Sequence, residues 1–289
     1  MRRRALLLLL ALLCPVASDA GPPGPTGPAA PFAGDVPGPE GLAFTADRHL
    51  VVGTKTGEFR RYAADGTFTS LGSAGEPLAG VTVLRDGRIL GAALAANRIW
   101  AVGPTGGTPT VFASDVAGPN FIVQTRRGHV LASASIGGTI VDVTDGTPVV
   151  RGTALSFPNG LALGPDRFLY VAETGAGRVS RLKLGRDDTL GPPQLYAGDL
   201  PLADGLAFDR AGNLLVLGNG TLKIVVRRTR TVVPVPADPL VDWASNLAFG
   251  RGGGFGRHDL FLANFGPAFG DGTTVVRLPY DRPGARLIR

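Results

Sequence analysis

One short phrase returns six times along this chain, at intervals of roughly forty residues. Its copies read Glu40-Gly41-Leu42-Ala43-Phe44, Ala79-Gly80-Val81-Thr82-Val83, Asn120-Phe121-Ile122-Val123, Asn159-Gly160-Leu161-Ala162-Leu163, Asp204-Gly205-Leu206-Ala207-Phe208 and Ser245-Asn246-Leu247-Ala248-Phe249. A period of this length belongs to chains that stack one supersecondary unit into a toroid or solenoid. In a closed toroid equivalent positions converge on the axis. The first residue of each phrase is called its slot here, and Glu40, Asn120, Asn159 and Asp204 put a carboxylate or an amide in four of the six.

Around each phrase the order of segments is constant: a short apolar run, a polar turn, a second apolar run, a Gly turn, then an alternating run. The first unit shows it as Leu42 to Phe44, Asp47-Arg48, Leu50 to Val52, Thr54 to Gly57 and Glu58 to Tyr62. Apolar runs this short, bounded by Gly, Asp and Pro, are strands rather than helices. A second echo, Pro31 to Val36, Val111 to Val116 and Leu195 to Leu200, marks an outermost strand and the loop that returns to the next innermost one. Four strands per unit and six units predict an all-β, six-bladed propeller. The echo near residue 32 precedes the first innermost strand, so it is expected to complete the last blade and close the ring, removing exposed sheet edges.

The chain has 289 residues, 44% of them hydrophobic and only 18% charged, with 43 Gly and 24 Pro. That suits one large all-β domain and excludes a disordered chain. Arg2, Arg3 and Arg4 precede an apolar stretch, Ala5 to Val16, too short to span a bilayer comfortably. Ser18-Asp19-Ala20 then offers small residues where a signal peptidase reads them. Residues 1–20 therefore read as an export signal, 21–30 as a Pro/Gly-rich linker and 31–289 as the propeller, in a protein that is periplasmic or secreted. A retained anchor, or a lipoprotein through Cys14, is the lesser alternative, because Leu13 stands where lipidation wants a small residue. Cys14 is the only cysteine, so the mature chain has neither disulfides nor zinc–thiolate sites. Removing the signal takes the formal net charge from +6 to +4. The run Arg227-Arg228-Thr229-Arg230 reads as a solvated strand edge; with no aromatic platform beside it, no nucleic-acid partner is expected.

Side chains at the slots should point into one mouth of the central channel. Glu40, Asp204, Asn159 and Asn120 would there form an oxygen-only cluster. Two carboxylates so close repel, which raises a pKa or demands a cation. Hard oxygen donors suit Ca²⁺ best, with Mg²⁺, Mn²⁺ and Zn²⁺ as alternatives. Taken singly, Asn-Gly and Asp-Gly are ordinary turn dipeptides; the common register, with spacings of 80, 39 and 45 residues between successive polar slots, favours a joint site. His49 and His129 precede second strands, at the far end of the innermost strand and more than ~15 Å from the slots. His258 lies in a Gly-rich insertion. A histidine triad at the slots is not expected. Tyr170, Trp100 and Trp243 read as packing residues.

Pro39-Glu40-Gly41, Pro158-Asn159-Gly160-Leu161, Leu169-Tyr170-Val171-Ala172-Glu173-Thr174-Gly175, Ala203-Asp204-Gly205-Leu206-Ala207-Phe208 and Asn246-Leu247-Ala248-Phe249-Gly250 resemble the senescence marker protein/gluconolactonase/luciferin-regenerating enzyme family of six-bladed propellers, from about residue 31 onward. The resemblance implies metal ligands at Glu40, Asn159 and Asp204, with Asn120 beside the metal on water or substrate and Asp204 also the general base. The sequence departs from the family at the third unit, where Gly118-Pro119 replaces an Arg-Pro lead and Phe121 follows in place of Asp. Leu42-Ala43 stands where the family often has an aromatic. These changes disfavour sugar acids and suit a less polar lactone or ester. The expected activity is metal-dependent hydrolysis of such a compound, by a monomer with no membrane span once the signal is cleaved. Lys55 is a candidate anchor for an anionic group, and Phe265 and Phe269 are candidate walls. The alternative is a non-catalytic binding propeller in which calcium is structural.

Overall fold

The structure is a computed structural model that describes residues 22–268 and 270–285. Residues 1–20, expected to be an export signal and including Cys14, and Phe269 lie outside the described residues. Six four-stranded antiparallel sheets form the blades. Their innermost strands are Pro39–Phe44, Val81–Val83, Pro119–Gln124, Pro158–Leu163, Ala203–Phe208 and Ala244–Phe249. Among the described residues there is no α-helix, only a single 3₁₀ turn at Thr174–Ala176.

Six apolar clusters stabilise the ring, one in each gap between neighbouring blades. Because both faces of a blade are covered, second strands are apolar at consecutive positions, and Leu50–Thr54, Ile89–Ala93 and Val130–Ala134 are buried throughout. This continuous burial explains why only the outer strands alternate in the sequence.

The ring closes as expected. Ala30–Ala33 pairs antiparallel with Thr274–Pro279 as the outermost strand of blade six. Most of the Pro-rich segment ahead of it also lies along this blade. Thr26 N donates to Pro279 O, Ala29 N donates to Asp238 Oδ2, and Pro25 bridges to Tyr280. Phe32 from the closing strand meets Phe261 edge-on at 5.0 Å between ring centroids, and Phe261 also contacts Phe44 and Phe255. Phe261→Ala is expected to cost about 3–5 kcal/mol of unfolding free energy by urea titration, because it empties the junction between blades six and one. The Arg227–Arg230 run is exposed as read, but it forms the turn after Thr221–Val225 rather than a strand edge. Arg230 stacks over Tyr196 at 4.0 Å.

Candidate metal centre

Each slot is positioned by three local features. The residue after it is glycine in four blades, and these glycines lie against the backbone of the next innermost strand. A Cβ on Gly41 would collide with Ala79 O and Val81 N, on Gly80 with Asn120 O, on Gly160 with Asp204 O, and on Gly205 with Ser245 O. Close approach at this level draws the innermost strands together around the axis. In the five blades other than the second, the pairing of innermost and second strand then slips by one residue at the slot. A bulge of this kind re-aims a side chain. Two residues further on, Leu42, Val81, Ile122, Leu161, Leu206 and Leu247 form a buried aliphatic layer. This layer continues into a cavity of about 510 Å³ that runs down the channel between Val83, Val123, Leu163 and Ala207. No slot side chain lines that cavity, so the slots face solvent only from the opposite mouth.

An apolar floor makes charge costly at the slots. Burial pushes Glu40 up to about 8. Asp204 is raised well above the usual carboxylate range, first by burial and then by repulsion from Glu40. The two carboxylates thus influence each other although blade six stands between their blades. Four further observations concern oxygens. Asn120 Oδ1, Asn159 Oδ1, Asp204 Oδ1 and Ser245 Oγ are all buried and have no hydrogen-bond partner among the described residues. Unpaired buried polar atoms are rare because each carries its full desolvation cost. Of the six such side-chain oxygens among the described residues, four fall on the six slots; the other two are the Tyr62 and Tyr280 hydroxyls.

The orientation of Asn159 is fixed by its neighbours. Thr174 Oγ1 donates to Ala203 O at 2.6 Å, so its oxygen accepts from Asn159 Nδ2 at 3.2 Å and the amide oxygen is turned away, unpaired. The Thr174 hydroxyl thereby supports Asn159. Glu173, just before it, is fully buried and accepts from Arg178, Ser180 and Ser156 N. Burial pushes its pKa up, but the Arg178 and Ser180 hydrogen bonds prevail and hold it below the usual range. It is therefore a charged brace at the end of the second strand. Blade six contributes Ser245, because the Asn246 side-chain oxygen already accepts from Leu247 N at 2.7 Å.

These donors fit a hard divalent cation: two carboxylates, two amide oxygens and a hydroxyl, with no sulfur or imidazole. Among the described residues no cluster of three or more His, Cys, Asp or Glu side chains is placed to hold a metal; this ring has only two carboxylates and draws its other donors from Asn and Ser. His49 and His129 lie at the far mouth, where His129 Nδ1 meets Asp142 Oδ2 at 2.7 Å and His49 pairs with Arg61 and Asp47. At the slot mouth Lys55 is exposed, its side chain lying over Gly38 and Gly270, with Phe265 also against Gly270. Tyr170 is a core residue as expected, with its hydroxyl donating to Asp166. Trp243 is not, being 40% exposed at the slot mouth.

Fold and slot ring together define a six-bladed propeller with an all-oxygen donor set at one mouth. Among solved structures, that fold is shared with a gluconolactonase from Xanthomonas campestris (TM-score 0.71, 22% identity, covering 91% of this chain and 99% of that one). It is also shared with regucalcin, a calcium-binding protein from Agrobacterium tumefaciens (TM-score 0.68, 16% identity, 91% and 96%). A streptogramin B lyase matches with a TM-score of 0.64 at 16% identity, covering 88% of this chain and 97% of that one. No family profile and no curated protein sequence matches the chain. At these identities the likeness shows the common architecture, the one expected from the slot phrases. Among the described residues no helix is long and apolar enough to cross a membrane.

Proposed function

We propose that the protein is an exported, calcium-dependent hydrolase of a lactone or related carboxylic ester. The observation that carries this reading is the set of unpaired buried oxygens at Asn120, Asn159, Asp204 and Ser245, gathered with Glu40 over an apolar floor. Glu40, Asn159 and Asp204 hold the cation, with Asn120 and Ser245 completing its protein side. A divalent cation bound there polarises the substrate carbonyl and stabilises charge on its oxygen. Export rests on the Arg2 to Ala20 segment. The gluconolactonase and regucalcin likenesses support the substrate class and the ion.

The proton transfers belong to Asp204. One oxygen of Asp204 faces the ring and the other takes a proton from the attacking water. As the acyl C–O bond breaks, that proton returns to the departing alkoxide oxygen, giving a hydroxy acid from a lactone, or an acid and an alcohol from an ester. Asn120 orients the water or the substrate.

The test is hydrolysis of a panel of lactones and aryl esters with Ca²⁺, Mn²⁺, Mg²⁺ or Zn²⁺ added to chelator-treated protein. Asp204→Asn should lower turnover at least about 100-fold. Ser245→Ala should weaken calcium binding in calorimetry. Equal rates for wild type and Asp204→Asn would remove the mechanism. A calcium-dependent rise in melting temperature with no hydrolysis of any substrate would assign the ion a structural role.

A further inference from the structure

In five of the six blades the loop that enters the innermost strand turns through a left-handed residue two positions before the slot. Gly38, Gly118, Phe157, Leu202 and Trp243 occupy this place in five blades, with φ of 51°, 68°, 49°, 51° and 42°. The turn has a structural purpose, since it aims a carbonyl at the loop after the second strand. Lys55 N donates to Gly38 O, Ser135 N to Gly118 O and Thr174 N to Phe157 O. Glycine meets this demand without strain, and blades one and three use it. Bulky L-residues do so only at a cost. Among the described residues the other non-glycine positions at positive φ are Asp, Asn, Arg or a single Ala, so the only large apolar ones stand at this position.

The strained side chains are not hidden. Phe157 is 39% exposed, Leu202 44% and Trp243 40%. They ride on the loops of the slot mouth, Phe157 beside Gly175 and Trp243 over Gly220. In blade three, where the position is Gly118, the side chain of Ile136 lies over the glycine and is 65% exposed. In blade one, Lys55 covers Gly38 instead. The rim is thus divided, with four contiguous blades presenting a large apolar side chain and the first presenting an ammonium.

We infer that Ile136, Phe157, Leu202 and Trp243 form the wall that receives the apolar part of the substrate. This inference rests on the hydrolase reading above and narrows it: the substrate is a lactone or ester with an alkyl chain or aryl group of several carbons, its polar end towards Lys55. Glycine at these three positions would relieve the strain but leave Ile136 as the wall's one remaining apolar side chain.

A homologous series of γ-lactones, from butyrolactone to dodecanolactone, tests the wall by two readouts: dissociation constant from tryptophan emission, and KM where hydrolysis occurs. Each added methylene is expected to tighten wild-type binding about two- to fourfold until the wall is covered. Phe157→Gly and Trp243→Gly install the residue that blades one and three already use. They should leave calcium affinity unchanged, leave the melting temperature equal or higher, and flatten the chain-length dependence of KM, with the emission readout followed in Phe157→Gly. A flat series in wild type, or glycine variants that melt lower while chain-length preference persists, would overturn the inference and make these residues packing. Sedimentation with phosphatidylcholine vesicles, if lost in the glycine variants while the lactone series is flat, would overturn it in favour of a lipid surface. The two readings fail separately. Chain-length-dependent binding without Asp204-dependent hydrolysis leaves the wall standing alone, and Asp204-dependent hydrolysis with no chain-length preference removes only the wall.

Discussion

Glu40→Gln is expected to make the ion-free protein more stable and nearly inactive. Folded, Glu40 holds its proton up to about pH 8; unfolded, it releases it near the ordinary value of 4.5. Between these values the folded state binds more protons than the unfolded one, so stability falls as pH rises through that window. Asp204 shifts in the same direction and adds to the slope. Chelator-treated wild type should therefore melt at a lower temperature at pH 8 than at pH 5. On the proposed function calcium should restore the loss at pH 8, because it would bind only the folded ring with both carboxylates ionised. Glu40→Gln removes one of these acids while keeping nearly the same shape. Its melting temperature in chelator should exceed that of wild type at pH 8 and vary less with pH. Added calcium should no longer raise it, and hydrolysis should fall at least about 100-fold. Differential scanning calorimetry at the two pH values, with and without calcium, reads all of this. A Glu40→Gln protein that still gains stability from calcium as wild type does would remove Glu40 from the cation site.

Gly160→Ala carries the largest expected structural penalty at the site. The added methyl group would stand 2.9 Å from the Asp204 carbonyl carbon and 3.3 Å from Gly205 Cα. Both obstacles are backbone, so neither can rotate away. Overpacking costs typically about 1–3 kcal/mol, and backbone obstacles put this case at about 3 kcal/mol or more. The innermost strands of blades four and five must move apart, carrying Asn159 from Asp204. Calcium affinity is therefore expected to fall together with stability. Gly198→Ala is the control and should be neutral, because a methyl group added there has nothing within 4 Å. Urea unfolding and calcium calorimetry on both variants check the pair. An unchanged calcium affinity in Gly160→Ala would mean that close approach of these strands does not set the ring.

Much of this architecture is legible because a propeller writes its symmetry into the chain. Six phrases in register set the blade count, and the echo at Pro31 to Val36 is enough to seat the closing strand on the last blade. Glu40, Asn120, Asn159 and Asp204 are legible for the same reason, since equivalent positions must meet at the axis. What the sequence hides is backbone conformation. A one-residue slip at the slot and a left-handed residue two places earlier leave no mark in residue type when Phe157, Leu202 and Trp243 fill the turn. Ser245 cannot be separated from Asn246 without knowing that Asn246 already serves Leu247 N. Thr174 looks like a loop residue because its contact to Asn159 joins neighbouring strands through side chains. The Arg227–Arg230 run reads as an edge because solvated charge marks turns and edges alike.

The seam between Ala30–Ala33 and Thr274–Pro279 ties strands about 245 positions apart and completes blade six. Without that pairing the sixth sheet lacks its outermost strand and leaves an edge unpaired. The circle is thus fastened by one pair of strands drawn from opposite parts of the chain. The same clasp is where heat or tension should first unzip the protein, from one blade rather than from all six.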